Sequence, residues 1–447
     1  MQAKFGTDGV RGKANVELTA GLALRIARAA CQVLGKGEAG SKAVIARDTR
    51  ASGSMFECAL AAGMMSRGFD AVLCGVMPTP SIGVLVQKYK SSFGAMVSAS
   101  HNPYQDNGIK LFSREGAKLA DSVESAIVEA MASDTETGGS EIGQIIEGAG
   151  AKEAYIGHLE KIFGDVRLNG MRFVLDCANG AASGLAEEVF CKLGASVHAI
   201  ASSPNGININ DGCGSTHPSL MRKAVLRENA DAGLAFDGDS DRLVAAQSNG
   251  SLVDGDALLF IFGSFLSERG RLSKNTVVAT VMSNSGLALS LREKGIATET
   301  SNVGDRYVLE SMLRHGLSLG GEQSGHIINF SVSPTGDGIA SGLFLSQIMA
   351  ETGKSLSELL EGLTLFPQST ENALVALEKK DAVLSDREVA EAVGALRAKY
   401  EGRGKVLVRP SGTEPKVRVT IEGEAESSVA SDAKALSALI ERRAELM

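Results

Sequence analysis

One pattern occurs three times in this 447-residue chain and limits the folds open to it. Each copy has an apolar strand, a polar turn ending in Ser-Gly, an amphipathic helix, a glycine and a second apolar strand. The copies begin at Lys42 (KAVIARDTRASG), Met171 (MRFVLDCANGAASG) and Thr276 (TVVATVMSNSGLALSLREKG). Strand, helix and parallel strand in alternation are typical of right-handed βαβ units, whose helices cover a parallel or mixed sheet. The sequence therefore predicts three similar α/β domains, although chance similarity between βαβ units would look the same.

The C-terminal part of the chain follows a different order. A helix-like stretch at 385–400 precedes the strand KVLVR, the loop RPSGTEP, the alternating strand KVRVTIE and a closing helix from about Ser428. We expect a separate α+β domain there. Polar, glycine-rich or turn-rich joins then divide the chain into four predicted domains, which cover residues 1–151, 152–254, 255–366 and 367–447.

Charge and composition exclude several classes of partner. Lys and Arg total 45 against 53 Asp and Glu, a formal net charge of −8, so no overall basic field attracts nucleic acid or an anionic membrane. An anionic substrate would need a local basic pocket. No apolar stretch approaches the roughly 20 residues of a membrane span, and the N-terminus lacks an apolar signal core. The six cysteines are widely spaced without CxxC pairs, which favours reduced thiols and a cytoplasmic location.

Glycine is in excess, at 52 residues, and four glycine-bearing segments follow predicted strands, where α/β proteins place ligands. In the first, Asp237, Asp239 and Asp241 occupy alternate positions, and Gly238 lets the loop turn tightly. Three such carboxylates can converge on one Mg²⁺. A calcium EF-hand does not fit, because its sixth position would be an arginine and its twelfth a serine. A simple acidic turn is the alternative, although adjacent carboxylates without a cation repel one another.

The second and third segments carry hydroxyl, imidazole and carboxylate groups. In SASHNP (98–103), a serine on a tight turn beside His101 and near Lys110 can be a nucleophile or phosphate carrier, but Ser, Asn and Pro are also ordinary turn formers. In GGEQSGH, the side chains of Glu322, Ser324 and His326 suit a polyhydroxylated ligand. His326 can equally be a packed histidine.

The fourth segment, RPSGTEP (409–415), combines a glycine turn, hydroxyl groups and an arginine that can grip two oxygens at once. In the strand that follows, Lys416, Arg418 and Thr420 share one face. This arrangement predicts a phosphate cradle, the local basic pocket that the net charge calls for. A solvated hairpin is the alternative.

Together with FGTDGVRG (5–12), these four segments resemble the ordered motifs of the α-D-phosphohexomutase family, and the resemblance spans essentially the whole chain. It implies three similar α/β domains with mixed sheets, a C-terminal α+β domain and an active site in a central cleft. Members of the family move phosphate between the two ends of a hexose phosphate. The resemblance implies that Ser100 is the phosphoserine and that, with Asp237, Asp239 and Asp241, it binds one Mg²⁺ per subunit. A bisphosphorylated sugar is the implied intermediate.

The resemblance also assigns roles to other side chains. The general acid–base candidates are Arg11, Lys110 and His101, and we expect Lys110 to shuttle the proton while Arg11 supports it electrostatically and His101 orients the serine. Arg242 is expected to contact phosphate or sugar. Glu322 and Ser324 would hold sugar hydroxyls, with His326 shaping that loop or reaching the ligand. The phosphate at the end of the sugar opposite the metal centre would be anchored by Arg409, Ser411, Gly412, Thr413 and Arg418.

The motifs GEQSGH and FGTDGVRG are most similar to the branch of the family that acts on glucosamine 6-phosphate, whose product feeds UDP-N-acetylglucosamine and cell-wall precursor synthesis. The small-molecule partner expected is thus a hexosamine phosphate. Mannose or glucose phosphates are the nearest alternative substrates. A metal-dependent sugar phosphatase and a noncatalytic sugar-phosphate-binding protein are alternatives from other classes, and the sequence leaves open whether the chain forms a homodimer.

Overall fold

The structure is a computed structural model that describes residues 9–35, 41–133, 141–411 and 415–447. These residues fall into two compact units, one within Met1–Met282 and Glu299–Glu361 and the other within Ser283–Thr298 and Gly362–Met447. Among the described helices, none has the length and apolar character needed to cross a membrane.

The N-terminal segment forms a six-stranded mixed sheet flanked by helices. Its elements are β1 (Val10–Lys13), α1 (Ala20–Leu34), β2 (Lys42–Arg47), α2 (Gly53–Met65), β3 (Asp70–Val76), α3 (Ser81–Tyr89), β4 (Phe93–Val97), β5 (Asp106–Phe112), α4 (Asp121–Ala132) and β6 (Ile145–Glu147). The strand order is β1-β5-β4-β2-β3-β6. Strand β2 runs parallel to β3 and β4, whereas β5 is antiparallel to β4 and β1.

The first βαβ repeat is confirmed in this sheet. Strand β2 reads KAVIAR, and its four central residues are all buried, as expected for a strand covered on both faces. Helix α2 contributes Phe56, Leu60 and Met64 to the core at the i, i+4, i+8 spacing of one helix face. The chain then returns through β3, parallel to β2.

The second segment builds a five-stranded sheet in the order β11-β10-β9-β7-β8. Its elements are α5 (Ala151–Phe163), β7 (Arg172–Asp176), α6 (Leu185–Lys192), β8 (Ser196–Ile200), α7 (Ser219–Glu228), β9 (Ala232–Phe236), β10 (Leu243–Gln247) and β11 (Leu252–Val253). The second repeat is confirmed, because β7 and β8 pair in parallel around α6. Strand β9 is buried along its whole length and leads directly into Asp237.

The third segment contains a four-stranded sheet in the order β13-β12-β14-β15. Its elements are α8 (Gly255–Glu268), a 3₁₀ turn (Ser273–Asn275), β12 (Thr276–Thr280), α9 (Ser285–Glu293), β13 (Ala297–Ser301), α10 (Asp305–His315), β14 (Leu319–Gly321), β15 (Ile327–Asn329), α11 (Gly338–Thr352) and α12 (Leu356–Leu359). The strand, helix and strand of the third repeat form as predicted. Helix α8 holds the apolar run LLFIFGSFL and is buried on nearly all sides.

The C-terminal segment forms an antiparallel sheet in the order β16-β18-β17, with helices beside it. Its elements are β16 (Gln368–Leu374), a 3₁₀ turn (Leu377–Lys379), α13 (Lys380–Leu384), α14 (Arg387–Tyr400), β17 (Gly404–Pro410), β18 (Lys416–Gly423) and α15 (Glu426–Glu445). In β18, Val417, Val419 and Ile421 face the core, as the alternation predicts. The separate α+β character of this segment is confirmed.

Candidate active site

Three of the sequence-predicted loops meet within the larger unit. We call them the serine loop (98–103), the acidic loop (237–242) and the GEQSGH loop (321–326). A Cβ on Gly238 would lie 2.6 Å from the carbonyl oxygen of Ser100, so only glycine lets the acidic loop approach the serine loop this closely. Gly325, with a φ of +90°, approaches Leu243 in the same way, and a Cβ there would lie 2.0 Å from its carbonyl oxygen. Part of the glycine excess therefore serves to bring these loops together.

Ser100 is buried and points at the acidic loop. Its Oγ donates a hydrogen bond of 2.5 Å to Oδ2 of Asp237, and its backbone N–H donates to Oγ of Ser98 at 2.9 Å. The backbone of Ser100 is left-handed, with a φ of 51°, a conformation that is uncommon outside glycine, asparagine and aspartate. The surrounding structure must hold the serine in this conformation.

Arg50 and Asp48, which the sequence analysis did not single out, hold the serine loop. The guanidinium of Arg50 is fully buried and donates to the carbonyl oxygens of Ser100 and Asn102, both at 2.8 Å. It also donates to Oδ2 of Asp48 at 2.9 Å, and Oγ of Ser98 donates to the same oxygen at 2.6 Å. Burial raises the pKa of Asp48, opposed by the positive charge of Arg50. The only sequence signal was a pair of opposite charges directly after a buried strand.

The three carboxylates of the acidic loop converge. One oxygen from each of Asp237, Asp239 and Asp241 lies within 4.8 Å of the others, and all three residues are buried. Burial, together with the negative charges of Asp241 and Asp239, raises the pKa of Asp237 to about 8. Burial also acts against ionisation of Asp241, but the charges of Lys110 and then His326 hold the pKa of that carboxyl well below its usual range.

These carboxylates fit a divalent cation. Within the described residues, Oδ1 of Asp239 and Oδ1 of Asp241 are buried without a hydrogen-bond partner. A buried charged oxygen is costly unless something compensates it, and a hard cation with oxygen ligands would do so. The triad thus confirms the prediction that the acidic loop brings three carboxylates together, and its chemistry matches the predicted Mg²⁺ site.

Lys110 lies beside the triad. It is buried in β5, and its Nζ lies 2.8 Å from Oδ2 of Asp239 and 3.7 Å from Oδ2 of Asp241. Arg11 is in the neighbouring strand β1, where it pairs in register with Gly108, two residues from Lys110. The proton-shuttle role of Lys110 and the electrostatic role of Arg11 stay predictions.

His101 contacts Arg242, which ends the acidic loop. Nη1 of Arg242 lies 3.2 Å from Nδ1 of His101. Because a guanidinium only donates, Nδ1 must be the acceptor, which leaves the proton of the neutral ring on Nε2. Burial, together with the positive charges of Arg242 and Arg11, lowers the pKa of His101 to about 4. The imidazole is therefore neutral near pH 7 and suits the orienting role predicted for it.

The GEQSGH loop presents its polar groups unequally. Glu322 is half-buried and accepts a backbone hydrogen bond of 2.9 Å through Oε1, whereas Ser324 is exposed. His326 is buried, with Nδ1 3.5 Å from Oδ2 of Asp241 and Nε2 3.4 Å from Oδ2 of Asp305. His326 thus packs between two carboxylates, which fits a residue that shapes the loop more closely than one that reaches a ligand.

The described residues of the predicted phosphate cradle lie in the C-terminal unit, and the cradle itself stays a prediction. Arg409 and Arg418 lie directly opposite each other in the β17–β18 ladder. Burial lowers the pKa of Arg409, and the charge of Arg418 lowers it further. Two facing guanidiniums repel, and an anion between them would turn that repulsion into binding. Ser411 is half-buried at the end of β17, whereas Gly412 and Thr413 lie outside the described residues, as do the first four residues of FGTDGVRG.

Four family descriptions match the chain in order. They are Phosphoglucomutase/phosphomannomutase alpha/beta/alpha domain I over residues 2–138, domain II over 153–250, domain III over 254–366, and the C-terminal domain over 372–438.

Individual proteins are similar over nearly the full length. A phosphoglucosamine mutase of Pelotomaculum thermopropionicum is 48% identical over 429 residues, which cover 95% of this chain and 96% of that protein. One from Clostridium novyi is 46% identical and covers 99% and 100%. A crystal structure of a phosphoglucomutase/phosphomannomutase family protein from Burkholderia thailandensis is 25% identical, with a TM-score of 0.79 and coverage of 100% and 98%.

Proposed function

The chain belongs to the phosphoglucomutase/phosphomannomutase family, and from that membership we propose that it converts glucosamine 6-phosphate reversibly into glucosamine 1-phosphate. The full-length similarity to phosphoglucosamine mutases supports the amino sugar as substrate over glucose or mannose phosphates.

One observation carries the proposal: the hydroxyl of Ser100 contacts Asp237 within the buried triad. We assign Ser100 as the phosphate carrier. A phosphoserine brings about −1.5 to −2 charge next to three carboxylates, which only a cation can offset. Ser100, Asp237, Asp239 and Asp241 would hold one Mg²⁺, which would neutralise charge and polarise the phosphorus toward attack.

The proposed reaction has two phosphoryl transfers. In the first, the bond between phosphorus and Ser100 Oγ breaks while a bond to O1 of glucosamine 6-phosphate forms. The sugar hydroxyl loses one proton and Oγ of Ser100 gains one, so a single side chain can carry the proton between them. We assign this role to Lys110. The resulting bisphosphorylated sugar reorients, and Ser100 then takes phosphate from O6, with the proton moving in the reverse direction.

The remaining side chains bind and orient. We propose that Glu322 and Ser324 bind the hydroxyl groups of the sugar and that His326 shapes the loop that carries them. His101 would orient the serine loop and Arg242 would contact phosphate or sugar. Anchoring of a substrate phosphate is assigned to Arg409, Ser411, Gly412, Thr413 and Arg418.

We also keep three wider predictions as proposals. The first is the division into domains over residues 1–151, 152–254, 255–366 and 367–447. The second is a cytosolic location, which the six unpaired cysteines support. The third concerns the oligomeric state, for which sedimentation of the purified protein distinguishes a homodimer from a monomer.

Coupled assays of one preparation on glucosamine, glucose and mannose 6-phosphates test the proposal, with free phosphate measured in parallel. We expect clear preference for glucosamine 6-phosphate, with phosphate retained on the sugar. A preference for either neutral sugar would contradict the substrate assignment. Stoichiometric release of free phosphate would instead identify a phosphatase.

A further inference from the structure

Thr79 makes two hydrogen bonds to one residue of the acidic triad. Its Oγ1 donates to Oδ2 of Asp239 at 2.5 Å, and its backbone N–H donates to the carbonyl oxygen of Asp239 at 2.9 Å. Thr79 is 1% exposed and lies 160 residues before Asp239, in the turn between β3 and α3. The turn therefore fixes both the main chain and the side chain of Asp239.

The turn is stiff because Thr79 stands between Pro78 and Pro80. Proline fixes its own φ, and it restricts the residue before it to extended conformations. Helix α3 begins at Ser81, whose buried Oγ donates to the carbonyl oxygen of Pro78 at 2.6 Å and closes the turn. The hydroxyl of Thr79 is thus held in place before any cation binds.

The contact leaves one particular oxygen of Asp239 for a ligand. Oδ2 accepts from Thr79 and from Nζ of Lys110, whereas Oδ1 is buried without a hydrogen-bond partner among the described residues. Without the threonine hydroxyl, Lys110 would be the main restraint on this carboxylate. Because Nζ of Lys110 also lies 3.7 Å from Oδ2 of Asp241, it restrains the Asp239 carboxylate less specifically than the Thr79 hydroxyl does.

We propose that Thr79 is a positioning residue of the cation site: its hydroxyl holds Oδ2 of Asp239 and thereby presents Oδ1 to a divalent cation. The inference rests on the proposed function in that it takes the triad to be the cation site. A partner that orients a ligating carboxylate typically contributes about 10- to 100-fold to metal affinity or activity.

Mn²⁺ binding to purified, cation-free protein tests this, measured from the paramagnetic resonance signal of free Mn²⁺. Thr79→Val keeps the branched shape and the backbone bond but removes the hydroxyl, and we expect it to raise the Mn²⁺ dissociation constant about 10-fold or more. Thr79→Ser restores the hydroxyl and should bind as the wild type does. Ser91→Ala removes a buried hydroxyl just after α3 without touching the triad or the turn that holds Thr79, and it too should bind normally.

Thermal unfolding of the cation-free variants separates positioning from a purely structural role. If Thr79→Val lowers the unfolding temperature but binds Mn²⁺ as tightly as the wild type, the proposal is overturned. It is also overturned if the wild type binds no Mn²⁺, or if Ser91→Ala weakens binding as much as Thr79→Val. Weaker binding by Thr79→Val alone, in a protein that does not interconvert glucosamine phosphates, would support the role of Thr79 and refute the proposed function.

Discussion

Acidification should weaken cation binding well above the usual titration range of a carboxylate. Asp237 is buried beside Asp241 and Asp239, and in the cation-free protein its pKa is raised from 3.8 to about 8. A cation that uses this carboxylate must displace its proton. Affinity should therefore fall as the pH drops below about 8.

The size of the effect follows from that pKa. With one competing proton, the apparent dissociation constant should rise about 10-fold between pH 9 and pH 7, and about 100-fold between pH 9 and pH 6. At pH 7, about 0.9 proton per bound cation should be released to the buffer. A carboxyl with a pKa of 3.8 would produce no measurable change across this range.

Calorimetric titration with Mg²⁺ in two buffers of different ionisation enthalpy measures both affinity and proton release. The charged and titratable groups near the triad include Lys110, Arg242, His101, His326, Asp48 and Asp337. Burial raises the pKa of Asp337 to about 6, so this carboxyl begins to take up a proton only at the acidic end of the range. The pKa of His101, at about 4, lies outside the range, whereas that of His326 is raised by Asp305 and Asp241 against the effect of burial. The variant His326→Gln removes this second titration and should keep the pH dependence. A dissociation constant that is the same at pH 6 and pH 9 would show that Asp237 carries no proton that the cation must displace.

Three further outcomes are expected. Because the pKa of Asp237 is raised, its contribution to stability is complete below pH 3.8 and is lost as the pH rises through about 8. The unfolding temperature of the cation-free protein should therefore fall from pH 6 to pH 9. With saturating Mg²⁺, the unfolding temperature should rise over the same range. Arg50→Lys keeps the positive charge but cannot donate to both carbonyl oxygens of the serine loop. Calorimetry should show that the variant is less stable by about 1–3 kcal/mol, and assays should show a lower kcat. Unchanged values would contradict the role of Arg50 in holding the serine loop. Arg409→Ala should raise KM roughly 10- to 150-fold with little change in kcat, because it removes a charged hydrogen bond to phosphate that is worth about 1.5–3 kcal/mol. A fall in kcat alone would contradict a role of Arg409 in substrate binding.

The local patterns predicted the elements well. Each βαβ repeat carries its own strand, turn and helix signals within a short stretch, so β2, α2 and β3 could be read from adjacent residues. The acidic loop was equally readable, because its three carboxylates are neighbours in the chain and their convergence needs only a tight turn.

Partners distant in the chain could not be read in this way. Arg50 reaches the carbonyl oxygen of Ser100 across 50 residues, and Thr79 reaches Asp239 across 160. In the sequence, both look like ordinary turn residues after a strand. The alternation in β18 likewise put Thr420 on the polar face but did not reveal that it is buried, since its hydroxyl meets Thr370 of β16 only once the sheet has formed.

Turnover of Ser100→Ala on glucosamine 6-phosphate, primed with the sugar bisphosphate, tests whether this serine carries the phosphate. Ser91→Ala, which removes another buried serine hydroxyl outside the serine loop, is the matched control. We expect Ser100→Ala to fold, bind Mg²⁺, take up no covalent phosphate and have no mutase activity, while Ser91→Ala remains active. Near-normal turnover by Ser100→Ala would show that another group carries the phosphate.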